Sequence, residues 1–285
     1  MTLPRIAVVG AGTMGHGIAY VAALAGCDVA LTDSRADALP QARAKIDELI
    51  AGAVQRVKLQ PEQGAAVAER LRVERGLEEA TRGADIIIEA VVEDLQIKQL
   101  LLADVERVAP AEALLASNTS SLSIAHLATA LARPGRLVGM HFFNPVHLMK
   151  LVEIVTHDRA EPGISDRAVA FVRQLGKEPI VVKDAPGFAS SRLGVVLGLE
   201  AMRMLEQGVA SVEDIDKAME LGYNHPMGPL KLTDLVGLDV RLAIAEYLHA
   251  TLKLPHYEPP AILRDKVKKG ELGKKTGRGF YTWSD

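Results

Sequence analysis

Short apolar runs alternate with amphipathic segments along the N-terminal part of the chain. The runs Arg5–Val9 and 84–91 are rich in β-branched residues and have the length of strands that are buried on both faces. Between such runs lie segments with helical periodicity, including 39–57 and Leu95–Val108. Strands that alternate with helices predict a mostly parallel sheet, with ligands bound at the carboxyl ends of the strands.

This pattern changes at Asp184-Ala185-Pro186-Gly187, where proline and glycine interrupt it. Helical periodicity dominates afterwards, and the segment 193–207 is apolar nearly all round, which predicts a buried helix. We therefore expect an α/β domain over residues 1–184 and a smaller all-α domain over residues 185–285. A length of 285 residues agrees with two domains, because it exceeds what one ordinary core accommodates.

Composition and charge exclude several classes of protein. A net charge of −3 gives no reason to expect nucleic-acid or membrane binding. Cys27 is the single cysteine, so an internal disulfide framework is impossible and a reducing compartment is expected. Arg5–Val9, the first apolar run, is too short for a signal peptide or a membrane span. We expect a cytoplasmic protein and no metal site.

A dinucleotide-binding fingerprint follows the first predicted strand. The motif Gly10-Ala11-Gly12-Thr13-Met14-Gly15 stands between that strand and a helical pattern, which is the context that this motif requires. Its glycines permit a tight turn, a close approach to the pyrophosphate and close helix packing. Asp33 ends the next strand and is placed to accept the adenosine ribose hydroxyls, which favours NAD over NADP. Arg35 lies nearby and leaves NADP open. The N-terminal domain is predicted to be Rossmann-type.

Polar residues also follow three later strands of the predicted sheet. Because the carboxyl ends of parallel strands meet at one edge, these residues are expected to converge there. Each of them has an alternative interpretation as a helix cap. The residues are Glu93 with Lys98, Asn118 with Ser120, and His141 with Asn144.

His141 and Glu153 form a candidate catalytic pair. If segments 137–143 and 149–156 are strands joined by a turn at Asn144-Pro145, a hairpin places residues 141 and 153 opposite each other. A carboxylate there would orient the imidazole and stabilise its protonated form during proton transfer. A structural histidine beside an exposed glutamate is the alternative.

Several motifs together resemble those of the 3-hydroxyacyl-CoA dehydrogenase family. The resemblance extends over nearly the whole chain and implies an NAD-dependent, reversible oxidation of a (3S)-3-hydroxyacyl-CoA, with a short-chain, 3-hydroxybutyryl-type substrate expected. It also implies a homodimer formed through the C-terminal domain. The motifs are Gly10–Gly15, Glu93–Lys98, Ser117–Leu122, His141–Pro145, Met149–Glu153, Asp184–Phe188, Met227–Leu230 and Gly273–Tyr281.

The resemblance also implies a role for each matching residue. His141 matches the catalytic base and Glu153 its carboxylate partner. Ser120 and Asn144 match residues that hold the substrate oxygen and the nicotinamide end. Arg56 occupies roughly the place of a basic residue that meets the CoA phosphates. The implied cofactor contacts are Gly10, Gly12, Thr13, Met14, Gly15, Asp33, Glu93, Lys98, Asn118, Ser120 and Asn144.

Two positions depart from the family pattern. Ser191 stands where an asparagine is common, and His147 stands in a turn where proline is frequent; we interpret His147 as a solvated turn residue. Two other functions remain open. One is an NAD-dependent dehydrogenase of a hydroxy or sugar acid without CoA, as in the lambda-crystallin-like branch. The other is a non-catalytic NAD-binding protein, against which the intact set of Ser120, His141, Asn144 and Glu153 argues.

Overall fold

The computed structural model describes residues 3–284, which separate into two compact units at the peptide bond between Ala185 and Pro186. In the first unit, eight strands of the described chain form one sheet, in the order β3-β2-β1-β4-β5-β6-β7-β8. The strands are β1 Arg5–Val9, β2 Asp28–Thr32, β3 Leu71–Glu74, β4 Ile86–Glu89, β5 Leu114–Ser117, β6 Leu137–Phe142, β7 Leu151–Thr156 and β8 Glu178–Lys183.

Strands β1 to β6 run parallel, whereas β7 pairs antiparallel with β6 and parallel with β8. Every residue of β4, β5 and β6 is buried, which is why these strands are continuous apolar runs. The described helices of this unit are α1 Thr13–Leu24, α2 Ala38–Gln55, α3 Pro61–Glu69, α4 Leu77–Thr81, α5 Leu95–Val108, α6 Ile124–Leu127 and α7 Ile164–Gln174. The predicted Rossmann-type, mostly parallel sheet is confirmed.

The strand order reverses direction at β1, which lies between β2 and β4. The chain builds outward from β1 to β3 on one side and then crosses to β4 on the other. Such a switch point leaves a crevice at the carboxyl ends of the two central strands, where open α/β sheets bind their ligands. Segments Gly10–Gly15 and Ala90–Glu93 begin at that crevice. The sheet topology therefore places the fingerprint beside the polar residues that follow β4.

The antiparallel pair β6 and β7 has the register that the sequence predicts. His141 pairs directly with Glu153, and Phe142 with Val152. Both strands are shorter than predicted on the side of the turn, because β6 ends at Phe142 and β7 begins at Leu151. The longer connection between them, residues 143–150, contains Asn144.

The second unit is helical in its described part, as predicted. Its longest helix differs from expectation, because Leu193 is 68% exposed and burial is confined to one face. The carboxylate of Asp234 anchors the C-terminal segment, accepting hydrogen bonds from the backbone N–H groups of Phe280 and Tyr281 and from Nε1 of Trp283. The helices are α8 Ser190–Glu206, α9 Val212–Gly222, α10 Pro229–Val236, α11 Leu238–Leu252 and α12 Ala261–Lys268. Among the described residues, no helix has the length and hydropathy needed to cross a bilayer.

Candidate active site

The fingerprint forms a tight turn between β1 and α1. Gly10 has φ +110°, and a Cβ there would lie 2.6 Å from the carbonyl oxygen of Ala90. A Cβ on Gly15 would lie 1.7 Å from the carbonyl oxygen of Gly10, so only glycine lets the helix pack this closely. Gly12, in contrast, faces open space, with no atom within 4 Å of a Cβ. Because α1 begins at Thr13 and no side chain caps its N–H groups, the turn fits the pyrophosphate of a dinucleotide.

Asp33 lies directly after β2 and is tied to the fingerprint turn. Its Oδ2 accepts a hydrogen bond from the backbone N–H of Ala11 at 2.7 Å, and Oδ1 accepts one from the N–H of Arg35 at 2.8 Å. An ionised carboxylate has about four acceptor positions, so two remain for a ribose diol. The aspartate therefore both shapes the turn and fits the adenosine ribose of NAD.

The imidazole of His141 is held by Glu153 across β6 and β7. Nδ1 of His141 lies 2.7 Å from Oε2 of Glu153. His141 is 6% exposed and Glu153 is fully buried, which contradicts the alternative of an exposed glutamate. A buried carboxylate at this distance selects the tautomer with the proton on Nδ1 and stabilises the imidazolium. The ring of Phe143 lies 4.4 Å from the imidazole and restricts its rotation.

Glu93 accepts several hydrogen bonds from the loop that follows β5. Its Oε1 accepts hydrogen bonds from Thr119 Oγ1 at 2.6 Å and from Ser120 N and Oγ at 2.8 and 3.1 Å. Burial acts to raise the pKa of Glu93, but Lys98 and these donors together hold the pKa below its ordinary value. Glu93 is thus an anion at neutral pH that orients Ser120.

Lys98 is 1% exposed, and its ammonium group points into the protein. It donates to Oε1 of Glu89 at 2.6 Å and to the carbonyl oxygen of Val91 at 3.2 Å, and it lies 3.5 Å from Oε2 of Glu93. Glu89, also 1% exposed, accepts a further hydrogen bond from Ser117 Oγ at 2.5 Å. These contacts make Lys98 an internal anchor of Glu93.

Sequence reasoning missed Glu89 and Ser117 as members of this network. The available signal was a carboxylate at the end of the otherwise apolar strand β4, where burial requires a partner. The sequence did not show that the side chain of Lys98 points into the protein, because a lysine on an amphipathic helix is usually solvated.

Asn118 and Asn144 differ in how they are held. Oδ1 of Asn118 accepts a hydrogen bond from the backbone N–H of Phe142 at 2.9 Å, which joins the end of β5 to the strand that carries His141. Asn144 is exposed at the start of the β6–β7 connection and is followed by a cis peptide bond to Pro145. The side chain of Asn118 is thus bonded to β6, whereas Ser120 is bonded to Glu93.

Arg56 lies away from these contacts, at the C-terminal end of α2. It lines a cleft of about 330 Å³, here named the Arg56 cleft. The cleft combines an apolar wall with basic side chains, and its lining includes Tyr20, Leu49, Arg56, Lys58, His147 and Leu148. Ser191, which stands where an asparagine is common in the family, lies in the first turn of α8, in the second unit.

Comparison with known proteins identifies the family. A family model described as the 3-hydroxyacyl-CoA dehydrogenase NAD binding domain matches residues 5–185, and the model of the C-terminal domain of that family matches residues 187–283. The first match confirms the expected NAD-binding domain.

Individual relatives are similar over their whole length. A probable 3-hydroxybutyryl-CoA dehydrogenase of Bacillus subtilis is 41% identical, covering 100% of this chain and 99% of its own. A 3-hydroxybutyryl-CoA dehydrogenase of Bradyrhizobium diazoefficiens is also 41% identical, over 99% of this chain and 96% of its own. The crystal structure of (S)-3-hydroxybutyryl-CoA dehydrogenase from Ralstonia eutropha is 38% identical, with a TM-score of 0.95 and complete coverage of both chains. The chain belongs to the 3-hydroxyacyl-CoA dehydrogenase family, as its motifs predict.

Proposed function

We propose that the protein catalyses the NAD-dependent, reversible oxidation of a (3S)-3-hydroxyacyl-CoA to the 3-oxoacyl-CoA, with His141 as general base and acid. The observation that carries this proposal is the 2.7 Å contact between His141 Nδ1 and the buried carboxylate of Glu153. It lies in a unit that also holds an NAD-binding fingerprint. A dehydrogenase needs both a hydride acceptor and a group that takes the hydroxyl proton.

The chemistry assigned to His141 follows from its two nitrogens. With Nδ1 directed to Glu153, Nε2 is the nitrogen that removes the proton from the 3-hydroxyl group. Bound NAD would supply the acceptor for the hydride on C3, the carbon that bears this hydroxyl group. The imidazolium that results is stabilised by the Glu153 carboxylate in a site of low dielectric constant. In the reverse direction, the imidazolium donates its proton to the 3-oxo group.

Ser120 and Asn144 are proposed to position the reactants. A hydroxyl and an amide can each donate a hydrogen bond to the substrate oxygen, so that its carbon faces the nicotinamide ring. Glu93 accepts hydrogen bonds from both the N–H and the hydroxyl group of Ser120 and so positions this residue. To donate to the substrate oxygen, the hydroxyl would turn its single proton away from Glu93. Glu93, Asn118 and the fingerprint residues are proposed cofactor contacts, with Lys98 acting through Glu93.

The short-chain, 3-hydroxybutyryl type is the proposed substrate, supported by the names of the full-length relatives. The test is reduction of acetoacetyl-CoA by the purified protein with NADH and NADPH in parallel. Oxidation of NADH is the expected result. Turnover of hydroxy acids or sugar acids in place of the thioester would favour the second function considered above. NADH binding without any turnover would favour a non-catalytic protein.

Replacing Asp33 by asparagine is expected to raise the KM for NADH about ten-fold or more, because one charge-assisted hydrogen bond contributes about 1.5–3 kcal/mol. Loss of the negative charge should also narrow the preference for NADH over NADPH. Steady-state kinetics with both cofactors measure the two effects. Asp37→Asn is the matched control, since Asp37 is exposed and its side chain does not cap α2. Unchanged discrimination in Asp33→Asn would contradict the proposed ribose contact.

The Arg56 cleft is the proposed site for the nucleotide part of CoA. Arg56 and Lys58 provide positive charge for its phosphates, while Leu49 and Leu148 provide an apolar wall for the adenine. Within residues 3–284, neither basic side chain forms an ion pair with a carboxylate of the protein. Both charges therefore remain available for an anionic ligand.

A homodimer formed through the helical unit is also proposed. Large apolar side chains are exposed on this unit, among them Leu193, Leu221, Tyr223 and Val240. Sedimentation equilibrium is expected to give twice the chain mass of 30.6 kDa. Tyr223→Glu should weaken the dimer, whereas Val57→Glu, an exposed apolar residue of the first unit, should not. A monomeric protein would refute the proposal.

A cytoplasmic location is proposed as well. NAD and acyl-CoA are intracellular metabolites, which supports it.

Cys27 is fully buried, and burial raises the pKa of its thiol to about 11. The thiol is therefore protonated and unreactive at neutral pH, consistent with a packing role.

A further inference from the structure

The β6–β7 connection contains His147 and is held in place on both sides of this residue. The buried ammonium group of Lys177 donates to the carbonyl oxygens of Val146 at 2.6 Å and Met149 at 2.7 Å. Val146 is buried against α1, where a Cβ on Gly17 would lie 2.9 Å from its Cγ2 atom. The two residues between Val146 and Met149 are thus held in place. His147 is an exposed turn residue, as predicted, and the clamp fixes it at the edge of the Arg56 cleft.

Within the Arg56 cleft, His147 lies beside two basic side chains, Arg56 and Lys58. Its ring lies 6.4 Å from the ring of Tyr20, at an interplanar angle of 79°. The groups whose charges act on it come from α1, from the turn after α2 and from the residue before β8. They are His16, Arg56, Lys58 and Lys177. Of these, Arg56 and Lys58 line the cleft together with His147, so an anion bound there would meet the positive charge of both.

We propose that His147 is a proton-coupled ligand of the CoA phosphates, which binds them as an imidazolium in the Arg56 cleft. This inference rests on the proposed function, because the cleft must receive the nucleotide of the acyl-CoA. A phosphate accepts charge-assisted hydrogen bonds from imidazolium and guanidinium groups alike. His147 therefore adds a contact whose strength depends on pH, beside the permanent charge of Arg56.

The direction of the pH dependence follows from the surroundings of His147. In the free protein, burial lowers the pKa of His147 below the ordinary value, and the charges of Arg56, Lys177 and Lys58 lower it further. A bound phosphate offsets those positive charges and raises the pKa of His147 again. Binding of CoA therefore takes up a proton at pH values between the free and the bound pKa. Affinity is highest below the free pKa and falls as the pH rises through the bound pKa.

The experiment compares two thioesters in the wild type and in His147→Gln. Acetoacetyl-CoA carries the nucleotide, whereas acetoacetyl-N-acetylcysteamine lacks it and corrects for the pH dependence of the chemistry. The readout is the ratio of their kcat/KM values between pH 5.5 and 8. In the wild type, we expect this ratio to fall about ten-fold as the pH rises, and in His147→Gln the fall should disappear. His126→Gln, an exposed histidine outside the cleft, is the matched control and should behave as the wild type.

Calorimetric titration of the unmodified protein with CoA, in buffers of different ionisation enthalpy, measures the proton directly without requiring activity. Net proton uptake by the wild type that is lost in His147→Gln supports the inference. Equal proton uptake in both proteins, or the same pH dependence of the ratio in both, overturns it. Failure to reduce either thioester would refute the proposed function instead. The use of dephospho-CoA then tells whether the 3′-phosphate or the pyrophosphate is the partner.

Discussion

Replacing His141 by alanine is expected to lower kcat for acetoacetyl-CoA reduction by about 10²- to 10⁴-fold, the usual contribution of a general acid or base. The reason is that alanine has no group that can take up or donate the proton assigned to Nε2 of His141. The dissociation constant for NADH, measured by its fluorescence, should change little, because the imidazole is proposed to act on the substrate oxygen and not on the cofactor. Wild-type turnover by His141→Ala would contradict the assignment.

Glu153→Gln tests the other half of the pair at constant volume. Glutamine can still bond to Nδ1, but it carries no charge to stabilise the imidazolium that forms during turnover. We expect kcat to fall by at least about 10²-fold, with the KM values little changed, since the lost interaction belongs to the transition state. Because Glu153 is fully buried, the melting temperature must be measured beside the kinetics. A parallel loss of folding in both variants would indicate a structural pair instead.

Lys98→Met is expected to destabilise the first unit by about 3–5 kcal/mol, because it leaves the buried carboxylate of Glu89 without its cation. Methionine matches the length of the lysine stem, so the change removes charge rather than volume. Urea unfolding followed by circular dichroism measures the loss. Lys45→Met, at an exposed position of α2, is the control and should stay within about 0.5 kcal/mol of the wild type.

The double variant Glu89→Gln/Lys98→Met separates an internal anchor from a direct cofactor contact. Removing both charges together should recover most of the lost stability, since no uncompensated charge then remains buried. If Lys98 acts through Glu93, its loss should displace Glu93, and NADH binding should weaken for that reason. A Lys98→Met protein of wild-type stability that no longer binds NADH would show that the ammonium group contacts the cofactor itself.

The sequence by itself determined the fold class and the family. Strand periodicity, the glycine fingerprint and the change of pattern near Pro186 are local signals, and each depends on backbone geometry that few residue types satisfy. The pairing of His141 with Glu153 was also predictable, because a hairpin register is set by the turn and by the apolar alternation. The NAD-binding domain was predictable because its motif is contiguous in the chain.

Tertiary structure alone decided which polar groups are buried and in which direction they point. The internal pair of Lys98 and Glu89 joins a helix to a strand end, and no local pattern states that a lysine faces inward. The clamp of Lys177 on the β6–β7 connection joins residues 31 and 28 positions apart and has no motif. The Arg56 cleft likewise forms only when α1, α2 and the β6–β7 connection pack together. Burial and charge neighbourhood are properties of the packed chain, and these long-range contacts determine them.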